Sequence, residues 1–106
     1  MRSRAARLGL FGGGLGLKST NTLKILCSSS LPENRLELHP NEGADLGWMM
    51  TEYSVEIEEG PRAEVHLLND CPKDCLVIGR KFWEKMGRPA KAILHFDGTK
   101  LKIEKT

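Results

Sequence analysis

From residue 52 onward, polar and apolar positions alternate in short, regular runs. In 52–58, Tyr53, Val55 and Ile57 stand on one side, with Glu52, Ser54, Glu56 and Glu58 on the other. A period of two over that length predicts a half-buried β-strand. Glu59-Gly60-Pro61-Arg62 predicts a turn, because glycine tolerates positive φ and proline donates no ladder hydrogen bond. The alternation resumes in 63–68, with Ala63, Val65 and Leu67 on one face and His66 and Leu68 on the other. After a polar loop over 69–74, Cys75-Leu76-Val77-Ile78 is continuously apolar and predicts a short strand buried on both faces.

Gly79 breaks that strand, and the period changes. Phe82, Trp83 and Met86 fall at i, i+1 and i+4, which predicts a short helix over 80–86 with one apolar side. Gly87 suits the position after the helix, and Pro89 prevents its continuation. A helix of two turns is not stable alone, so those three side chains must pack on a sheet. Residues 91–96 and 100–104 flank Asp97-Gly98-Thr99, a strong hairpin signal. The predicted core is Val55, Ile57, Val65, Leu67, Val77, Ile78, Phe82, Met86, Ile93, Leu94, Phe96, Leu101 and Ile103. The fold class is therefore mainly β with one short helix (α+β), in a small domain over 50–106. A domain that small buries little apolar surface. A homodimer that completes the strand pairing across a subunit boundary is expected.

Residues 1–48 read differently. Gly12-Gly13-Gly14-Leu15-Gly16 weakens any helix or strand, and Ser28-Ser29-Ser30-Leu31-Pro32 is loop chemistry. Only 22–27 and 36–38 offer short apolar fragments, each a transient strand at most. The expectation is a disordered or loosely attached extension. Two alternatives accompany it. Residues 1–32 carry five Lys/Arg and no acid, the composition of a mitochondrial or plastid targeting peptide, although the glycine run opposes an amphipathic helix. Met49-Met50 also reads as a natural start preceded by an upstream extension.

The net charge of +2 says little, but its distribution says more. Residues 51–70 hold six acids against Arg62 alone, whereas 71–106 hold nine Lys/Arg against four acids. No apolar run approaches the roughly 20 residues a membrane-spanning helix needs. Three cysteines are an odd number, which favours reduced thiols in a cytoplasmic setting over a disulfide framework. His66, Cys71, Cys75 and His95 are zinc candidates if the strands that carry them are neighbours, and Cys71-x3-Cys75 without a second cysteine pair is a poor zinc signature. No Gly-rich phosphate loop, nucleophile elbow or HExxH stretch is present, so neither an enzyme nor a cofactor is expected.

Val77-Ile78-Gly79-Arg80-Lys81-Phe82-Trp83-Glu84-Lys85-Met86-Gly87, followed by Asp97-Gly98 and Leu101-Lys102-Ile103-Glu104-Lys105, resembles the AbrB/MazE/SpoVT swapped-hairpin family. The resemblance covers about residues 63–105. It implies a small swapped-hairpin β-barrel, completed by dimerisation, that binds DNA as a transcription regulator or antitoxin. Lys73, Arg80, Lys81, Arg88 and Lys91 are then the candidate phosphate contacts. Two departures stand out. Gly79 occupies the family's proline position, which loosens the strand-to-helix switch, and Asp74-Cys75 replaces a basic lead-in. The competing expectation is a protein-interaction module or a small subunit of a larger assembly, with a protein partner instead of DNA.

Overall fold

The computed structural model describes residues 17–58 and 60–106. The order of elements is β1 (Lys18–Ser19), β2 (Leu23–Ser28), β3 (Arg35–Leu38), α1 (Pro40–Asp45), β4 (Glu52–Ile57), β5 (Arg62–Leu67), β6 (Cys75–Gly79), α2 (Arg80–Lys85), β7 (Lys91–Phe96) and β8 (Lys100–Lys105). Strands β7, β2, β6, β3, β5, β4 and β8 pair in that order, and β8 returns to β7, which closes a seven-stranded barrel. The mainly β class is thus as the alternation predicts, and the small barrel is as the resemblance implies, with a second short helix added.

Two ββα-plus-strand units build the barrel, related by a shift of 40 residues. Helix α1 begins at Pro40 and α2 at Arg80. Gly47 (φ 81°) and Gly87 (φ 92°) end them in the left-handed conformation that glycine reaches without strain. The amide of Trp48 bonds the Gly43 carbonyl at 2.8 Å, and that of Arg88 bonds the Trp83 carbonyl at 2.9 Å. Glu64 N–H donates to Asn34 O, and Lys24 N–H to Asp74 O. The units interlock: β2 runs parallel to β6, β3 runs parallel to β5, and β3 meets β6 antiparallel.

The segment expected to hang loose is therefore largely structural. Residues 17–48 supply β1, β2, β3 and α1. Leu23, Leu36 and Leu38 are wholly buried. Arg35-Leu36-Glu37-Leu38 alternates cleanly, with Leu36 and Leu38 inward. Pro40 sits at the start of α1, where its missing N–H costs nothing, and the His39 ring accepts from Asn41 N–H at 3.0 Å. The Gly12–Gly16 run, and half of the segment read as a targeting peptide, lie outside the described residues. The strand pairing expected from a second copy is met within the chain, because β2 and β3 flank β6 on its two edges.

The core follows the barrel's inside face. Leu76, Ile78, Ala92, Leu94 and Leu101 are wholly buried. Val77 and Ile93, expected in the core, are only half-buried and outward, since β6 and β7 alternate like the other strands. Cys75–Gly79 is therefore not buried on both faces. Thr20, also buried, links β1 and β2 along one edge of β7: its N–H donates to Leu94 O and its Oγ1 accepts from Leu94 N–H. At the β7–β8 turn, Asp97 accepts from Lys100 N–H and Thr99 N–H, which holds its carboxyl below the usual range.

Gly79 is a tight contact, not a loose joint. A Cβ there would stand 2.8 Å from the Pro32 carbonyl oxygen, in backbone that has no side chain to swing away. Gly79→Ala should cost about 1–3 kcal/mol, by the usual penalty for overpacking. The urea midpoint measures it, and an unchanged midpoint contradicts the close approach.

Candidate nucleic-acid interface

The structure separates the five candidate basic residues into groups. Arg80 and Lys81 occupy the first turn of α2, both exposed, beside the loop that carries Ser29, Leu31, Pro32 and Glu33. Arg88 follows the helix with φ 57°, its guanidinium 5.8 Å from the Trp83 ring centre. Trp83 is held in turn by its Nε1–H donating to Pro89 O. Glu84 lies between the two arginines, 3.7 Å from Arg80 and 3.3 Å from Arg88. Exposed ion pairs of this kind are weak.

Lys91 opens β7 and is the cross-strand partner of Lys24 in β2. Lys24 also neighbours Cys75 in the register of β6. Lysines 24 and 91 thus share one patch, a feature hidden from the sequence because only the β2–β7 register brings them together. They stand at the start of β2 and β6, whereas Arg80 and Lys81 stand at the far end. Four rises along β6 put roughly 13 Å between those ends. Lys73 belongs elsewhere. It lines a cavity of about 370 Å³ with Asn21, Asn41, Glu42, Asp45 and Asp74, an acidic neighbourhood beside α1. Glu42 is buried at the place equivalent to Phe82, and both its oxygens accept from Asp74 N–H.

The two units carry opposite charge. The stretch 80–91 holds Arg80, Lys81, Lys85, Arg88 and Lys91 against Glu84, while the equivalent 40–51 holds only Glu42 and Asp45. The pair Lys85–Glu33 at α2 is answered at α1 by Asp45 and Lys73, with the signs exchanged. On the strands, β4 and β5 place Glu52, Glu56 and Glu64 outward, together with Arg62 and the half-buried His66. The equivalent face of β7 and β2 has Lys91 and Lys24. In the closed order three strand steps separate β2 from β5. Glu64 on β5 therefore occupies a different wall from Lys24, whereas Glu58 borders the α2 end.

The four zinc candidates do not converge. His95 lies on β7, with Nδ1 2.5 Å from Ser19 Oγ and Nε2 2.6 Å from Glu104, whose carboxyl it holds below the usual range. His66 lies on β5, and its Nδ1 accepts from Arg35 Nη2 at 3.1 Å. Its Nε2 faces Glu64 at 3.6 Å and makes no hydrogen bond. Among the described residues, no three His, Cys, Asp or Glu side chains are grouped as metal ligands.

Comparison of the chain with protein-family models, curated proteins and solved structures finds no match.

Burial, with Glu37, Cys75, Asp70 and Glu42 adding negative charge, pushes the Cys71 thiol up to about 11. At pH 8 roughly one Cys71 in a thousand is then thiolate. Iodoacetamide at that pH should label exposed Cys27 first and spare Cys71 until the chain unfolds, as read by peptide mass mapping. Cys71 labelling as fast as Cys27 contradicts the buried thiol.

Proposed function

We propose that the chain is a nucleic-acid-binding module whose contact surface is the α2 side of the barrel. The observation that carries this reading is the reversal of charge between two units of the same fold. One unit is acidic around its helix; the other carries Arg80, Lys81, Arg88 and Lys91, with Lys24 beside Lys91. Basic groups at both ends of a rigid five-residue strand suit a charged backbone, since affinity for nucleic acid rests first on neutralising phosphates. Duplex DNA is the first ligand to test, because the resemblance of residues 63–105 to swapped-hairpin regulators implies it. Lys73 is left out of the surface, since its neighbours are acidic.

A second reading, a subunit that docks on a protein partner, draws on Leu17, Met49 and Met50, which stand 60%, 94% and 65% exposed. One experiment separates the two. Anisotropy of labelled duplex and single-stranded oligonucleotides is followed as salt rises. The nucleic-acid reading expects tight binding in low salt and a linear fall of log K with log salt. Replacing Arg80, Lys81 and Lys91 by Gln should flatten the duplex slope by about 0.9 for each phosphate contact removed. Replacing Met49 and Met50 by Gln should leave it unchanged. No binding at low salt, or a slope indifferent to the basic residues, overturns the reading.

A further inference from the structure

The barrel's two ends are equivalent in backbone but not in filling. At the α1 end, Trp48 follows Gly47 and packs edge-on against Tyr53 and Phe96, with ring centres 5.1 and 5.2 Å away. It is 5% exposed and closes that end. Forty positions later stands Arg88, which turns outward to Trp83 and Glu84. Arg88 therefore does not close the α2 end as Trp48 closes the α1 end. A cavity of about 350 Å³ lies there, walled by Ile57, Pro61, Phe82, Met86 and Ile103. Its Pro61, Phe82 and Lys85 stand 40 residues after Asn21, Glu42 and Asp45, and its Glu33 stands 40 before Lys73, so it is the counterpart of the polar cavity beside α1, with Phe82 in the place of Glu42. Its volume falls in the range of small-molecule pockets, roughly 300–1,000 Å³.

Among the described residues four charged side chains border it, and they are not alike. Lys85 is paired with Glu33, and that bond holds the Glu33 carboxyl below its usual range. Lys105 is fixed by a different bond. Its Nζ donates to Met86 O at 3.0 Å, which fastens the ammonium to a cavity wall without neutralising it. A lysine ammonium has three donors, so Lys105 keeps capacity for an anion. Glu58 is the counter-charge, exposed in the β4–β5 turn. We propose that the α2 end of the barrel binds a small organic anion: a ring or short acyl chain fills the cavity between Ile57, Phe82, Met86 and Ile103, and a carboxylate rests on Lys105. This site stands whether or not the chain binds nucleic acid.

The test titrates the full chain with octanoate, octanol and octylammonium, and follows the methyl resonances of Ile57, Met86 and Ile103. Octanoate should shift them saturably and bind at least about threefold more tightly than octanol, the value of one partly exposed ion pair. Lys105→Met should erase that advantage and leave octanol unchanged. Met86→Trp should fill the cavity and abolish both, with an intact amide spectrum confirming the fold; Ile103→Phe serves where Met86→Trp does not fold. The proposal is overturned by any of three results. These are no saturable shift at those methyls, tighter binding of octylammonium than of octanoate, or equal loss of octanol and octanoate binding in Lys105→Met.

Discussion

Everything in this barrel depends on one antiparallel contact, the pairing of β3 with β6. Leu36 faces Ile78 and Leu38 faces Leu76 across it, and all four side chains are wholly buried. Truncating any one of them to alanine costs about 2–5 kcal/mol in a typical core. Forty residues separate Leu36 from Leu76 and Leu38 from Ile78, so each strand pairs with its own counterpart. From that axis the rest propagates. Strand β3 takes β5 in parallel on its outer edge, and β6 takes β2. Those in turn take β4 and β7, and β8 joins the two ends. Neither unit holds a sheet of its own, because each central strand has its parallel neighbour in the other unit.

The second half was legible because its signals are local. Alternation at 52–58 and 63–68, the Phe82-Trp83-Met86 spacing and the Asp97-Gly98 turn each reveal their element without reference to a partner. The first half was not, although Arg35-Leu36-Glu37-Leu38 alternates and Pro40 and Gly47 bracket a helix. Gly and Ser runs on both sides weighed against it, and a four-residue strand is meaningful only once its neighbours are known. The internal repeat was hidden for a related reason. Pro32 and Pro72, Leu36 and Leu76, and Gly47 and Gly87 correspond, but the side chains between them differ in size and charge. Phe82 answers Glu42, and Arg88 answers Trp48. Inward and outward assignments failed at Val77 and Ile93 because an unbroken apolar run carries no parity signal.

The candidate site shows the same division. Arg80, Lys81, Arg88 and Lys91 were legible as a basic run around a helix. Lys24 was not, since it joins Lys91 only through the β2–β7 register. Lys73 was misplaced for the converse reason: close in sequence to Arg80, it faces the acidic side of the other helix. Divergence between two copies of one backbone is what gives the molecule a basic flank, an acidic flank, a polar cavity beside α1 and an apolar-walled one beside α2. Gly79 belongs with these differences. Its equivalent, His39, caps α1 with a side chain, whereas the backbone of Pro32 leaves no room for one at Gly79.

The central claim is that the two units form one cooperative body around β3 and β6. Native-state hydrogen exchange of the full chain tests it most directly. The account predicts that the bonded amides of β2, β3, β5 and β6 open with one common free energy, equal to that of global unfolding by denaturant. Exchange of β2 and β3 at a much lower free energy than β5 and β6 would contradict it. The first unit would then be a detachable extension on a domain that stands without it.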